Sequence, residues 1–183
     1  MNARTLARLA LVTLASAEGA LALQRWRTRR HVFAAAAQRA QATARPLVVI
    51  GDPDAGAHTR LLRAYGCGDL CPDLRGCPGC PNARTADITR GPLADLADDS
   101  AVVFVSCVLE YVDDLLAALA ELRRIAGHPD NLFIVTVQPW TITATIYPGA
   151  RWSGTTPDTM KPVTGWHKLL ASSALSTLTT AAF

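Results

Sequence analysis

Three short runs, PLVVI (46–50), SAVVFVSCVL (100–109) and NLFIVTV (131–137), are almost uninterruptedly apolar and rich in β-branched residues. A strand with one face in water alternates apolar and polar side chains. A strand without that alternation must be covered on both sides, which is the condition of strands in a parallel sheet. The segments between them supply the covers. GAHTRLLRAYG (56–66) places Leu61, Leu62 and Tyr65 at helical spacing and ends at Gly66, while Asp113 is placed to cap DLLAALAELRRIAG (114–127). That second segment carries Leu115, Leu119, Leu122 and Ala126 on one face, with Gly127 as its stop. Shorter strands are expected in DLCPDL (69–74) and TADI (85–88). The order predicts an α/β fold built on a doubly wound, mostly parallel sheet. Ligands of such sheets sit beyond the carboxyl ends of the strands.

Residues 1–45 differ from the rest. They hold eight arginines against one acid, Glu18, a net +7, whereas residues 46–183 sum to −4. A body of that sign is a poor match for a nucleic-acid backbone, so nucleic acid is not an expected partner. The head is rich in alanine and leucine and free of proline before Pro46, which predicts a helix. Over Leu6–Leu23 it would be roughly 27 Å long, marginal against a hydrocarbon core of ~30 Å. Three readings stay open: a signal peptide ending in LALVTLASA, a membrane anchor with Trp26 and the Arg25–Arg30 cluster at headgroup level, and a helix packed on the body or on other protein subunits. The anchor reading implies a transmembrane or membrane-surface helix. It places the protein at a membrane, with the body in a reducing compartment such as the cytoplasm. The organisation expected is therefore a head, 1–45, and an α/β domain, 46–183.

Four of the five cysteines crowd into Cys67-x3-Cys71-x5-Cys77-x2-Cys80, with Pro72, Pro78 and Gly79 turning the chain between them. Such a cluster could gather four thiolates round zinc, form local disulfides, or stay free. Cys107 is expected to be a small core residue rather than a nucleophile. Glu110 follows a strand, where it serves either a cleft as acid or base or a helix as a first-turn charge. His58, His128 and His167 are isolated from one another. VQPWTITATIYPGARW (137–152) is expected to close the core or to form an aromatic lid, and residues 165–183 form a last helix or strand.

The order of motifs resembles the class I S-adenosylmethionine-dependent methyltransferases over residues 46–137. VVIGDPDAGAHTRLL stands where that family has its first strand and glycine loop, and SAVVFVSCVLEYVDDLLAALAELRRI resembles its fourth strand and following helix. The resemblance implies a Rossmann-like fold and S-adenosylmethionine as cofactor. It implies a site lined by Gly51, Asp52, Asp54 and Gly56, by Asp73 at the ribose, by Asp87 and Ile88 at the adenine, and by Cys107 and Leu109. Acidic loops suit a sulfonium cation better than a phosphate. Pro53 stands where the family has a loop glycine, and only thirteen residues separate Asp73 from Asp87, too few for a helix and a strand. Two functional expectations follow: a membrane-tethered methyltransferase acting on a small molecule or lipid, and a methyltransferase-like structural or assembly subunit that has lost catalysis.

Overall fold

The computed structural model describes residues 2–54, 63–93, 95–136, 150–154, 156–163 and 179–180. Helix α1 (Ala3–Thr43) leads into β1 (Leu47–Ile50), β2 (Cys71–Asp73), β3 (Ala83–Thr85), β4 (Val102–Ser106), α2 (Leu115–Ala126) and β5 (Leu132–Val135). Short strands β6 (Trp152–Ser153), β7 (Lys161–Pro162) and β8 (Thr179–Thr180) complete the described chain.

The apolar runs become a three-stranded parallel sheet. β4 lies between β1 and β5, with Val49 opposite Phe104 and Phe104 opposite Phe133. β8 adds to the outer edge of β5 antiparallel. On the other side, Leu70 O and Pro72 O accept the N–H groups of Val49 and Gly51 at 2.9 and 3.0 Å, so the parallel pair β2–β3 continues the sheet beside β1. Read across, the strands run β3, β2, β1, β4, β5, β8.

Alternate side chains of each strand enter two cores. Val48, Ile50, Val103, Val105, Leu132 and Ile134 pack with the α2 face formed by Leu115, Ala118, Leu119, Leu122 and Ile125. Leu47, Val49, Val102, Phe104, Phe133 and Val135 pack beneath Val32, Ala36 and Ala40 of α1. Phe33, Tyr65 and Phe104 form an aromatic trio there, with ring centroids 5.0 to 6.0 Å apart. The small residues at 36 and 40 let the helix axis lie close to the strands. Arg45 fastens the far end of the helix by pairing with Asp99 just before β4, and Arg39 Nε donates to Asn131 Oδ1 at 2.9 Å before β5.

α1 therefore runs antiparallel to the strands. Its packed second half runs from Arg29, at the carboxyl end of β4, toward Arg45, near the start of β4, and its first half projects past the carboxyl ends of the strands. Six of the nine large apolar side chains exposed among the described residues lie on that projecting half: Leu6, Leu9, Leu11, Val12, Leu14 and Leu23.

Several sequence expectations need correction. No helix among the described residues is long and apolar enough to cross a membrane, which overturns the transmembrane expectation. The reason lies in the run itself, which is short of a bilayer and interrupted by Arg8 and Glu18. The cap of α2 is Asp114, whose side chain accepts the Ala117 N–H at 3.0 Å, and not Asp113. The strand expected at 85–88 lies at Ala83–Thr85, leaving Asp87 and Ile88 in the following turn. Residues 63–66 carry no helix, and the rest of the helix expected over 56–66 falls outside the described residues. The same holds for 137–149 of the expected lid.

Phe104 is wholly buried at the centre of the trio. Phe104→Ala is expected to lower stability by about 3–5 kcal/mol, whereas Leu116→Ala, on the outer face of α2 and 79% exposed, is expected to stay within about 0.5 kcal/mol. Urea unfolding followed by circular dichroism checks both.

Candidate functional site

The carboxyl end of β4 holds a largely covered polar cluster. Ser106 closes the strand, and Cys107 turns the chain with φ 56°, a left-handed conformation costly for a residue with a Cβ. Its N–H still reaches Val135 O at 2.8 Å, so the ladder fixes the turn. Arg29, on the face of α1 that also carries Phe33, Ala36 and Ala40, brings its Nη2 to 2.7 Å from Cys107 Sγ. Leu109 and Glu110 follow in the turn, 1 and 2% exposed, and the Glu110 carbonyl accepts the N–H groups of Arg151 and Trp152.

Electrostatics follow from this arrangement. Burial pushes the Cys107 thiol above its ordinary value, and the Arg29 guanidinium opposes that shift. The Cys107 sulfur in turn raises Arg29, which keeps its charge. Burial pushes the Tyr65 hydroxyl up to about 12. The cluster can thus hold a fixed cation beside a protonated thiol.

At the end of β1, Gly51 adopts φ 100°, and a Cβ there would lie 2.6 Å from Val108 Cγ2, so this position requires glycine. Asp52 Oδ1 accepts the Asp54 N–H at 2.9 Å. Asp54 is bound by both arms of Arg63, at 2.9 and 3.1 Å. Gly56 lies outside the described residues.

Asp73 and Asp87 stand at neighbouring strand ends, with Asp73 O accepting the Ala86 N–H at 3.0 Å, and each carboxylate binds within its own turn. Asp73 Oδ1 accepts the Arg75 N–H at 2.7 Å. Asp87 accepts the hydroxyl and N–H of Thr89 at 2.6 and 2.9 Å and pairs with Arg90, and the Thr89 hydrogen bonds hold its carboxyl below the usual range. Asp87 lines a cavity of about 320 Å³ together with Leu70, Pro72, Thr85, Pro92 and Leu96, and Asp73 is not part of that lining. Ile88 is buried in the core shared with α2. S-adenosylmethionine draws no support from this geometry: Asp73 and Asp87 each bind within their own turn, and Arg29 brings a guanidinium to the end of β4.

The cysteine cluster forms around β2, with Cys67 before it, Cys71 at its start and Cys77 and Cys80 in the loop leading to β3. Cys67 pairs with Cys80 and Cys71 with Cys77, with Cα separations of 5.5 and 6.4 Å. The Cys71, Cys77 and Cys80 sulfurs lie within 4.8 Å of one another, close enough to hold a metal ion. Cys107 stays unpaired by disulfide.

Arg29 and Tyr65 were missed as site residues. A signal for Arg29 existed, because 29, 33, 36 and 40 fall on one helical face, although only the tertiary structure shows that this face is the buried one. Compared with protein-family models, curated proteins and solved structures, the chain matches none of them.

Because the pKa of Cys107 is higher in the folded than in the unfolded chain, its stabilising effect is complete below the unfolded value and is lost as pH rises through the folded one. Tyr65 adds a loss of the same sign between about 10 and about 12. With the other four cysteines paired, the rate of iodoacetamide labelling at Cys107 is expected to reach its midpoint at higher pH in the native than in the urea-unfolded protein.

Proposed function

We propose that this protein is a structural assembly subunit, an α/β body of methyltransferase-like strand order that joins a second copy of itself through the projecting half of α1. The observation that carries this reading is the cluster of exposed apolar side chains at Leu6, Leu9, Leu11, Val12, Leu14 and Leu23. At 100° per residue Leu6 and Leu9 share the face of Thr13, and an apolar helix face left in water calls for a partner. No helix among the described residues is long and apolar enough to cross a membrane, and a protein surface of matching apolar character would bury that face.

The sequence of the head favours its own copy. An antiparallel pair centred on Thr13 brings Glu18, the only acid of the head, to the axial level of Arg8 of the second copy, at the flank of the seam, and repeats that juxtaposition by symmetry. The same register sets Leu6 and Leu9 opposite Ala20 and Ala17, large against small. The Arg25–Arg30 cluster falls outside the paired stretch, and at ~1.5 Å per residue the two bodies stand far enough apart to avoid each other.

The enzyme reading of the family resemblance, methyl transfer from S-adenosylmethionine, draws support from the strand order, with an antiparallel strand beside the last parallel one. Against it stand Pro53, the separately engaged Asp73 and Asp87, and Arg29 at the end of β4.

Sedimentation of the full chain tests the proposal. Wild type is expected to be a dimer, Glu18→Arg to weaken it at least tenfold, and Arg8→Glu combined with Glu18→Arg to restore it. A monomeric wild type that instead floats with phosphatidylglycerol vesicles would overturn the reading. Micromolar calorimetric binding of S-adenosylmethionine that Asp73→Ala abolishes would favour the enzyme.

A further inference from the structure

The cysteine cluster offers chemistry that neither the fold nor the assembly surface uses. Cys71, Cys77 and Cys80 are 0, 1 and 8% exposed, and they belong to the core beneath α1. Disulfides that only staple a chain have no need to meet one another. Here both lie within fourteen residues of sequence, and sulfurs from the two pairs approach within 4.8 Å. A tetrahedral zinc ion with Zn–S bonds of ~2.3 Å holds its sulfurs ~3.8 Å apart, which is within that limit. The fourth ligand is at hand, because Cys67 Sγ is bonded to Cys80 Sγ and needs only side-chain rotation once that bond opens.

The local backbone suits a metal knuckle. Cys77, Pro78, Gly79 and Cys80 form a tight turn closed by the Cys80 N–H on Cys77 O at 2.9 Å, which points both side chains to one side. Gly79 leaves room there for the Asp54 carboxylate, whose Oδ2 would lie 2.1 Å from a Cβ at this position. Cys71 is fixed from the opposite side by β2, its N–H bonded to Asn82 O at 3.0 Å. Arg63 Nη2 stands 3.7 Å from Cys80 Sγ and 3.4 Å from Gly79 O, and its charge favours an ionised sulfur.

We propose that the reduced protein binds Zn²⁺ through Cys67, Cys71, Cys77 and Cys80, and that a peroxide converts this site into the disulfide pairs Cys67–Cys80 and Cys71–Cys77 with release of the ion. In each pair one thiolate sulfur attacks a peroxide oxygen, the O–O bond breaks, and a sulfenic acid and hydroxide form. The second thiolate then displaces the sulfenic oxygen as hydroxide and makes the S–S bond. Four thiolates, two peroxides and four protons give two disulfides, four waters and free Zn²⁺. The sulfurs lose four electrons, which the two peroxides take up.

The exchange reaches beyond the cluster. Cys71 Sγ lies 3.6 Å from Gly51 O, at the end of β1, and Arg63 joins the cluster to Asp54 in the following loop. The site is thus a redox-controlled metal centre set against the carboxyl edge of the sheet. It is independent of pairing through α1.

The test uses the full chain, reduced, mixed with equimolar zinc chloride and passed through a desalting column. One zinc per chain is expected to be retained. Cobalt(II) in its place is expected to give sulfur-to-metal charge-transfer absorption and the visible bands of a tetrahedral site. Stepwise hydrogen peroxide is expected to release zinc in parallel with the loss of free thiols from five to one, Cys107 being the one left. Cys67→Ser is expected to keep the tetrahedral cobalt bands with charge-transfer absorption lower by about a quarter. If that variant does not fold, the wild-type zinc count and cobalt spectrum decide alone. Reduced protein that retains no zinc, or zinc that stays bound after four thiols have been lost, would overturn the proposal.

Discussion

A parallel sheet with no polar face must be covered twice, and everything else in this chain follows from how few elements are on hand to cover it. Among the described residues two helices do so. α2 takes one face with an ordinary amphipathic stripe. α1 takes the other with only its second half, where Val32, Ala36 and Ala40 lie against the strands and Phe33 meets Tyr65 and Phe104. Burying a side chain the size of Phe contributes about 1.5–3 kcal/mol relative to leaving it in water, so the trio alone is a sizeable share of a marginal stability.

That arrangement also shapes the carboxyl edge. Because α1 lies antiparallel to the strands, its packed half ends where β4 ends, and Arg29 is delivered to Cys107 at the position where α/β proteins bind ligands. A half-buried guanidinium at that point disfavours a cationic ligand and works against the upward push of burial on the Cys107 thiol. The rest of the helix continues into solvent with its leucines uncovered. The same geometry that closes the core thus produces the one large apolar surface seen on the described protein.

The cysteine cluster stands in for a helical crossover. Thirteen residues between Asp73 and Asp87 are too few for a helical crossover, and the chain from Cys67 to Cys80 holds its short loops with sulfur chemistry where a longer protein would use a helix. Sulfur bonds stabilise short loops that cannot bury enough apolar surface of their own. They also make that part of the fold responsive to its redox environment in a way that packed helices are not.

The sequence by itself determined the parallel sheet, because uninterrupted β-branched runs such as VVFV have no other stable environment, and it determined α2 through its leucine spacing and Gly127. It also marked Gly51 and the cysteine cluster, since turns and sulfur ligands depend on residue type and local spacing. Tertiary structure alone decided that Arg29 rather than Arg27 or Arg30 meets Cys107, that Asp73 and Asp87 serve separate turns, and which cysteines pair. Those outcomes depend on the direction in which α1 crosses the sheet and on distances between segments far apart in the chain. Local periodicity carries no information about either, because it records which face of an element is apolar and not what that face meets.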